Sequence, residues 1–198
     1  MIALESYAPP VLSGWYEENR ARRGFKDENI LNIFRKYDLG EINDEGVIDY
    51  FSKYKDIKST KDELKNEVDS YLKLNNSLIG VIKKLRRKGF KTVLLTNSNT
   101  SFFENEIYVK YPEFKSYFDE IVISSAVKMV KPNADIFLYT LGKTDSLPEE
   151  SLFIDDSKEN IDAAIRLGVN GFLYANNDLF VEYIKKLGIV LEDITIIE

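Results

Sequence analysis

From residue 76 onward the chain alternates amphipathic segments with wholly apolar ones, and no other feature constrains its fold as tightly. Leu78, Val81, Ile82 and Leu85 recur at helical spacing, and Gly89 suits the helix end that follows them. Residues 91–96 then centre on Val93, Leu94 and Leu95, an apolar run without alternation, as expected for a strand buried on both faces. Runs at 120–124, 151–155 and 171–174 repeat the pattern, with a helix expected over 159–167 and its stop at Gly168. Strands alternating with helices imply parallel pairing and helices on both faces of the sheet. In such sheets the ligand crevice lies at the carboxyl ends of the strands, so the residues after each strand carry the functional information.

Residues 15–75 read as helices only. Ile30, Ile33, Phe34 and Tyr37 mark one apolar stripe. Asn43 or Asp44 can cap a second helix carrying Val47, Phe51 and Tyr54, and Thr60 with Glu63 forms a capping-box pattern before Leu64, Val68 and Tyr71. A further helix around Trp15 and Tyr16 completes a bundle of about four short helices. The expected organisation is therefore α/β: a Rossmann-like parallel sheet core from 76–198 with 1–14, and a small helical bundle over 15–75.

Composition removes several classes of function. The 27 Lys and Arg against 33 Asp and Glu give a net charge of −6, unlike an electrostatically driven nucleic-acid binder. The basic cluster Lys83, Lys84, Arg86, Arg87 and Lys88 lies on the helix of Leu78 and reads as its solvated face. The sequence has no Cys and no His, which removes thiol nucleophiles, thiolate metal sites and imidazole bases. Chemistry is left to carboxylates, Lys, Ser or Thr, and hard metal ions. No apolar run approaches the roughly 18 residues of a membrane span, and no secretion-signal pattern opens the chain. A cytoplasmic protein with no membrane partner is expected.

The strand ends supply those groups. Thr96 and Asn97 follow the first run, and the Thr96 hydroxyl and Asn97 backbone N–H suit a phosphate oxygen. Lys131, before Pro132, is a point charge suited to a phosphoryl group or to holding a carboxylate ionised, and as a crevice residue it is expected to be reachable by solvent. Asp155 and Asp156 end the 151–155 run; adjacent carboxylates there favour a cation between them, and Mg²⁺ prefers such oxygen ligands.

With these residues in place, the chain resembles the haloacid dehalogenase-like (HAD) hydrolase superfamily, most closely its small-molecule phosphatases with a helical cap. The resemblance covers about residues 15–190. It rests on Val93-Leu94-Leu95-Thr96-Asn97, on Lys131-Pro132, and on the run from Leu152 through Asp155-Asp156-Ser157-Lys158-Glu159-Asn160. The turn from Gly40 to Glu45 resembles one common in the cap of these phosphatases. The resemblance implies that Thr96 binds the transferring phosphoryl group, that Lys131 neutralises it, and that Asp155 and Asp156 hold Mg²⁺, with Asp156 as the direct ligand. The substrate it implies is a small phosphorylated metabolite, and the acid pair favours phosphoryl transfer over carbon–halogen cleavage. A two-component receiver domain uses similar groups, but there the acids come early and the Lys last.

One family motif is absent. Relatives open with an apolar strand ending in Asp-x-Asp, the nucleophile and the general acid/base, whereas here no Asp precedes Asp27. Glu5 and Tyr7 occupy the corresponding stretch, and covalent catalysis depends on that first carboxylate. The expectation is an enzyme whose N-terminal motif is truncated in this sequence, inactive as written; the alternative is a non-catalytic HAD-like domain that binds a phosphorylated ligand or a protein partner. The motif-bearing strand would be central, and either Met1 to Leu4 or residues 193–197 can fill its place. The sequence sets neither the substrate nor the oligomeric state.

Overall fold

The computed structural model describes residues 1–4, 11–23, 29–54 and 57–190. Five parallel strands form one sheet in the order β3-β2-β1-β4-β5: β1 (Ile2–Leu4), β2 (Thr92–Thr96), β3 (Glu120–Ile123), β4 (Leu152–Asp155) and β5 (Asn170–Leu173). The short strand β1 takes the central place, pairing Ile2 with Thr92 on one side and with Leu152 on the other. Of the two segments that could fill the interior gap, Met1 to Leu4 does so, which pairs both inner edges over that length. Residues 193–197 lie outside the described residues, as do Glu5 and Tyr7.

Helices α1 (Val11–Arg23), α2 (Ile30–Asp38), α3 (Asp44–Phe51) and α4 (Lys61–Asp69) precede α5 (Asn76–Arg87). Their starts follow local chemistry. The Asn43 side chain accepts from Gly46 N at the head of α3. At α4, Thr60 and Glu63 complete a reciprocal capping box, Thr60 N donating to Glu63 Oε2 at 2.8 Å. Trp15, Phe51 and Leu64 are fully buried, with the Trp15 and Phe51 rings edge to face at 4.8 Å. Tyr16 and Tyr37 are buried with them, and Tyr50 and Tyr54 pack partly buried against the same cluster.

After β2 come two single turns, α6 (Thr100–Phe102) and α7 (Tyr108–Lys110), joined by a π-helical turn over Phe103–Ile107. Helix α8 (Ser124–Val127) follows β3, α9 (Ala134–Thr144) precedes β4, α10 (Lys158–Arg166) follows it, and α11 (Asn177–Lys186) closes the described chain. Strand alternation divides the apolar residues between two layers. Ile2, Leu94, Leu152 and Ile154 face a core shared with α5, α11 and the α1–α4 helices, while Ala3, Val93, Leu95 and Phe153 face α9 and α10. With both faces covered, every residue of β2 is buried.

The basic cluster lies at the amino end of the sheet, away from the strand-end crevice. Arg86 bonds Asp119 and the Ser116 carbonyl, and Lys83 sits 3.9 Å from the Tyr117 ring centroid. Lys84, Arg86 and Arg87 stand in the last turn of α5, where cations offset the helix dipole. No described helix is long and apolar enough to cross a membrane.

Candidate active site

Sheet register brings the strand-end residues together. Leu4 pairs with both Leu94 and Ile154, so Leu95 and Asp155 stand level with each other one step further on, on the strands that flank β1. Lys131 joins them. Its ammonium donates to the Leu95 carbonyl at 2.9 Å and to Asp155 Oδ2 at 2.8 Å, bridging β2 and β4 across the end of β1.

The loop carrying Lys131 is held by the loop after β2. Asn97 Nδ2 donates to the Lys131 carbonyl and Lys131 N donates to Asn97 Oδ1, both at 2.9 Å. This reciprocal amide pair sets the Lys131 backbone, a role for the Asn97 side chain that its position after a strand does not signal. Thr96 ends β2 beside Ile123 and is 1% exposed.

The structure corrects the expectation that Lys131 is reachable by solvent: its side chain and that of Asp155 are both fully buried. Burial pushes the Lys131 ammonium below its ordinary value, opposed by the Asp155 carboxylate and, more weakly, by Asp156. The Asp155 carboxylate has several donors around it. Besides Lys131, it accepts from Ser157 N at 2.7 Å and from the Asn160 amide at 3.1 and 3.2 Å. Asn160, in the first turn of α10, falls within the quoted motif, yet only the folded turn reveals that it reaches back five residues to fix Asp155. Asp156, by contrast, is exposed.

Among the described residues no three acids converge on one point as a ready-made metal cage. The donor set still suits a hydrated hard cation: Asp156 is an exposed carboxylate, and Mg²⁺ typically uses one or two carboxylates while retaining several waters. The oxygens of Asp155 already serve an ammonium, an amide and a backbone N–H, so that side chain fits an orienting role better than direct ligation.

Above these loops lies the turn between α2 and α3. Asn99 donates to the carbonyls of Tyr37 and Ile42 at 2.8 and 2.9 Å, Ser124 Oγ to that of Asp38 at 2.6 Å, and Lys128 Nζ to those of Leu39 and Gly40 at 2.8 and 3.2 Å. Gly40 is required there. Its φ is +67°, and a Cβ would come 3.1 Å from the Ser125 carbonyl oxygen and 2.7 Å from Lys128 Nζ.

Comparison with known proteins agrees with this arrangement. The family described as haloacid dehalogenase-like hydrolase matches residues 15–173. The chain is 27% identical over 124 residues to a phosphorylated carbohydrates phosphatase of Thermotoga maritima, covering 61% of this chain and 56% of that protein. It is 30% identical over 114 residues to a D-ribitol-5-phosphate phosphatase of Bacteroides thetaiotaomicron, covering 54% and 50%. Against bifunctional epoxide hydrolase 2 of Rattus norvegicus the identity is 28% over 98 residues, 48% of this chain and 18% of that one. The matched stretch thus spans little more than half of these relatives at most. Two solved structures share the fold: an HAD-like family hydrolase from Porphyromonas gingivalis, 22% identical with a TM-score of 0.72 over 94% of this chain and 96% of that one, and an HAD family enzyme from Bacteroides thetaiotaomicron in complex with magnesium and inorganic phosphate, 19% identical with a TM-score of 0.67 over 88% and 93%. A family match over most of the chain, on a sheet with the fold of those solved structures, shows that this protein belongs to the haloacid dehalogenase-like hydrolase family.

Proposed function

We propose that the strand-end crevice is the phosphoryl site of a Mg²⁺-dependent phosphohydrolase for small phosphorylated metabolites, and that in the present sequence it binds phosphate without turning the ester over. The observation that carries this reading is the Lys131 bridge between Leu95 and Asp155, which sets a buried cation over the end of β1. A cation preorganised in a dry site stabilises charge developing on a transferring phosphoryl group. Thr96 donates to a phosphoryl oxygen, Asp156 holds the metal, and Asp155 with Asn160 and Asn97 keeps Lys131 in place. Mg²⁺, when bound, neutralises the phosphoryl oxygens. The phosphatase names of the relatives in Thermotoga maritima and Bacteroides thetaiotaomicron support the substrate class. Helices α1–α4 act as the cap over this crevice.

The attacking oxygen is what the sequence does not provide in the usual form. Phosphoryl transfer here needs a carboxylate oxygen to bond phosphorus while the ester oxygen leaves and takes a proton; water then cleaves the acyl phosphate. Glu5 and Tyr7 stand in sequence where the family places two Asp residues. The test is a gain of function. The parent chain should hydrolyse a general phosphatase substrate no faster than buffer with Mg²⁺, although inorganic phosphate or vanadate raises its melting temperature. The double substitution Glu5→Asp, Tyr7→Asp should confer Mg²⁺-dependent turnover. No protection by phosphate or vanadate would refute the phosphoryl site; parent turnover that Glu5→Gln abolishes would refute the inactive reading.

A further inference from the structure

The basic cluster of α5 is more than a solvated helix face. The last turns of α5, Gly89, the residues leading into β2 and the 3-10 turn Phe114–Tyr117 enclose an open groove of about 790 Å³ at the amino end of the sheet, the opposite end of β2 from Thr96. A groove of this volume has room for a small-molecule ligand. Lys83, Arg86, Arg87 and Lys91 line it, and Asp119 is the one acid among the described residues that do so.

Two of these cations are fixed. Arg86 donates to Asp119 Oδ1 at 3.0 Å and to the Ser116 carbonyl at 2.6 Å, and Lys91 donates to the Thr144 carbonyl. Asp119 also accepts from Thr92 N at 2.9 Å and from Thr92 Oγ1 at 3.2 Å, so the charge of the lining acid is already engaged. The other two cations are exposed. Lys83 stands 3.9 Å from the Tyr117 ring centroid, and neither it nor Arg87 forms an ion pair among the described residues. Glu113 lies within the field of Lys83 but outside the lining, and accepts from the Tyr117 hydroxyl at 2.8 Å. The carboxyl end of α5 sets about half a negative charge against this group of cations. That dipole accounts for basic residues in the last helical turn. It does not account for Lys91, which joins them from beyond the helix end on a chain whose net charge is −6.

We propose that this groove is a second anion site, separate from the phosphoryl crevice, that binds a short polyphosphate chain such as a triphosphate, whether free or carried by a nucleoside. Lys83 and Arg87 supply the free donors, and Arg86 and Lys91 the fixed positive wall. A polyphosphate carries charge on every unit and so meets several cations at once, each through a charge-assisted hydrogen bond. Phe90, half-buried in the lining, offers apolar surface on which a base can rest. A long polyanion fits less well, because beyond the groove it would meet the acid excess of the chain. The inference does not depend on the phosphoryl-site reading.

The test titrates tripolyphosphate, ATP and citrate into the full chain by calorimetry, without Mg²⁺ and at two ionic strengths. Tripolyphosphate should bind at one site, more weakly as salt rises. Lys83→Ala and Arg87→Ala together should weaken it about tenfold or more. Both side chains are exposed, so the double variant should melt with the parent, and Asp156→Asn should bind tripolyphosphate as the parent does. ATP binding more tightly than tripolyphosphate identifies a nucleotide as the source, and equal binding identifies the polyphosphate chain alone; either result supports the site. Equal affinity in the double variant and the parent overturns the proposal, as does displacement of tripolyphosphate by the vanadate that fills the crevice. Citrate bound as tightly as tripolyphosphate would reduce the groove to an unspecific cationic patch, and a single-stranded oligonucleotide bound more tightly would replace the proposed ligand; both outcomes refute it.

Discussion

Replacing Lys131 by Met removes a buried ammonium while keeping an unbranched side chain of similar length. In the native protein that ammonium bonds Asp155 Oδ2 at 2.8 Å and the Leu95 carbonyl at 2.9 Å, and both partners' side chains are excluded from water. After the substitution Asp155 keeps Ser157 N and Asn160 but loses its countercharge, and the Leu95 carbonyl loses a donor. Breaking one side of a buried ion pair costs about 3–5 kcal/mol. For a chain of this size that lowers the melting temperature by about 6–20 °C. Asp155→Asn should cost a similar amount, because it leaves the cation buried. The double variant carries no buried charge and should recover at least about 2 kcal/mol of the summed single costs, the coupling expected of direct partners. Urea denaturation of the four proteins without ligand measures all of this. A Lys131→Met protein within about 1 kcal/mol of the parent, or single costs that simply add, would refute the reasoning. Sequence reasoning alone anticipates the opposite, a solvent-reachable lysine whose loss spares the unliganded protein; burial reverses that expectation.

Mg²⁺ binding should depend on Asp156, so Asp156→Asn should weaken it in isothermal titration with little change in stability, and equal affinity in the two proteins would rule out the assignment. Gly40→Ala forces a Cβ into a left-handed backbone against the Ser125 carbonyl, and its expected cost of about 1–2 kcal/mol or more is read from the urea midpoint. The Asp38 carboxyl is raised to about 7 by burial, so its ionised form is disfavoured in the folded protein and stability is greater while it is protonated. Its contribution is complete below the unfolded value near 4 and is lost as pH rises through about 7. Asp38→Asn should therefore raise the melting temperature at pH 8 and barely change it at pH 4; an equal shift at both values would contradict the burial argument.

The layered core was legible because burial on two faces leaves a one-dimensional trace. Val93, Leu94 and Leu95 are all apolar since α5 and α11 cover one face of β2's sheet while α9 and α10 cover the other. The capping box at Thr60 and Glu63 is local in the same sense, its partners three residues apart. Pairings across the fold left no such trace. Asn97 and Lys131 are 34 residues apart, and Asn99 bonds carbonyls 57 and 62 residues away. Those bonds run to backbone carbonyls, which every residue has, so no choice of amino acid at Tyr37, Leu39 or Ile42 announces them. The central strand was hard to read for a different reason: three residues are too few for a periodic signal, and register with both neighbours identifies it instead.

The acid pair combines both situations. In sequence Asp155 and Asp156 look equivalent, two carboxylates fit to share one cation. Asp155 is the last residue of β4 and Asp156 lies in the bend that follows it, so the two side chains enter different surroundings. Asp155 turns inward, where Lys131, Ser157 N and Asn160 meet it; Asp156 turns out to solvent. Adjacency thus separates the two roles rather than doubling one of them. The inner acid holds Lys131 across the end of β1, and the outer acid, less than 4 Å of backbone away, is left exposed. Exchanging the roles would require a shift of register by one residue, which would also move Ile154 out of the core that it fills together with Ile2 and Leu94.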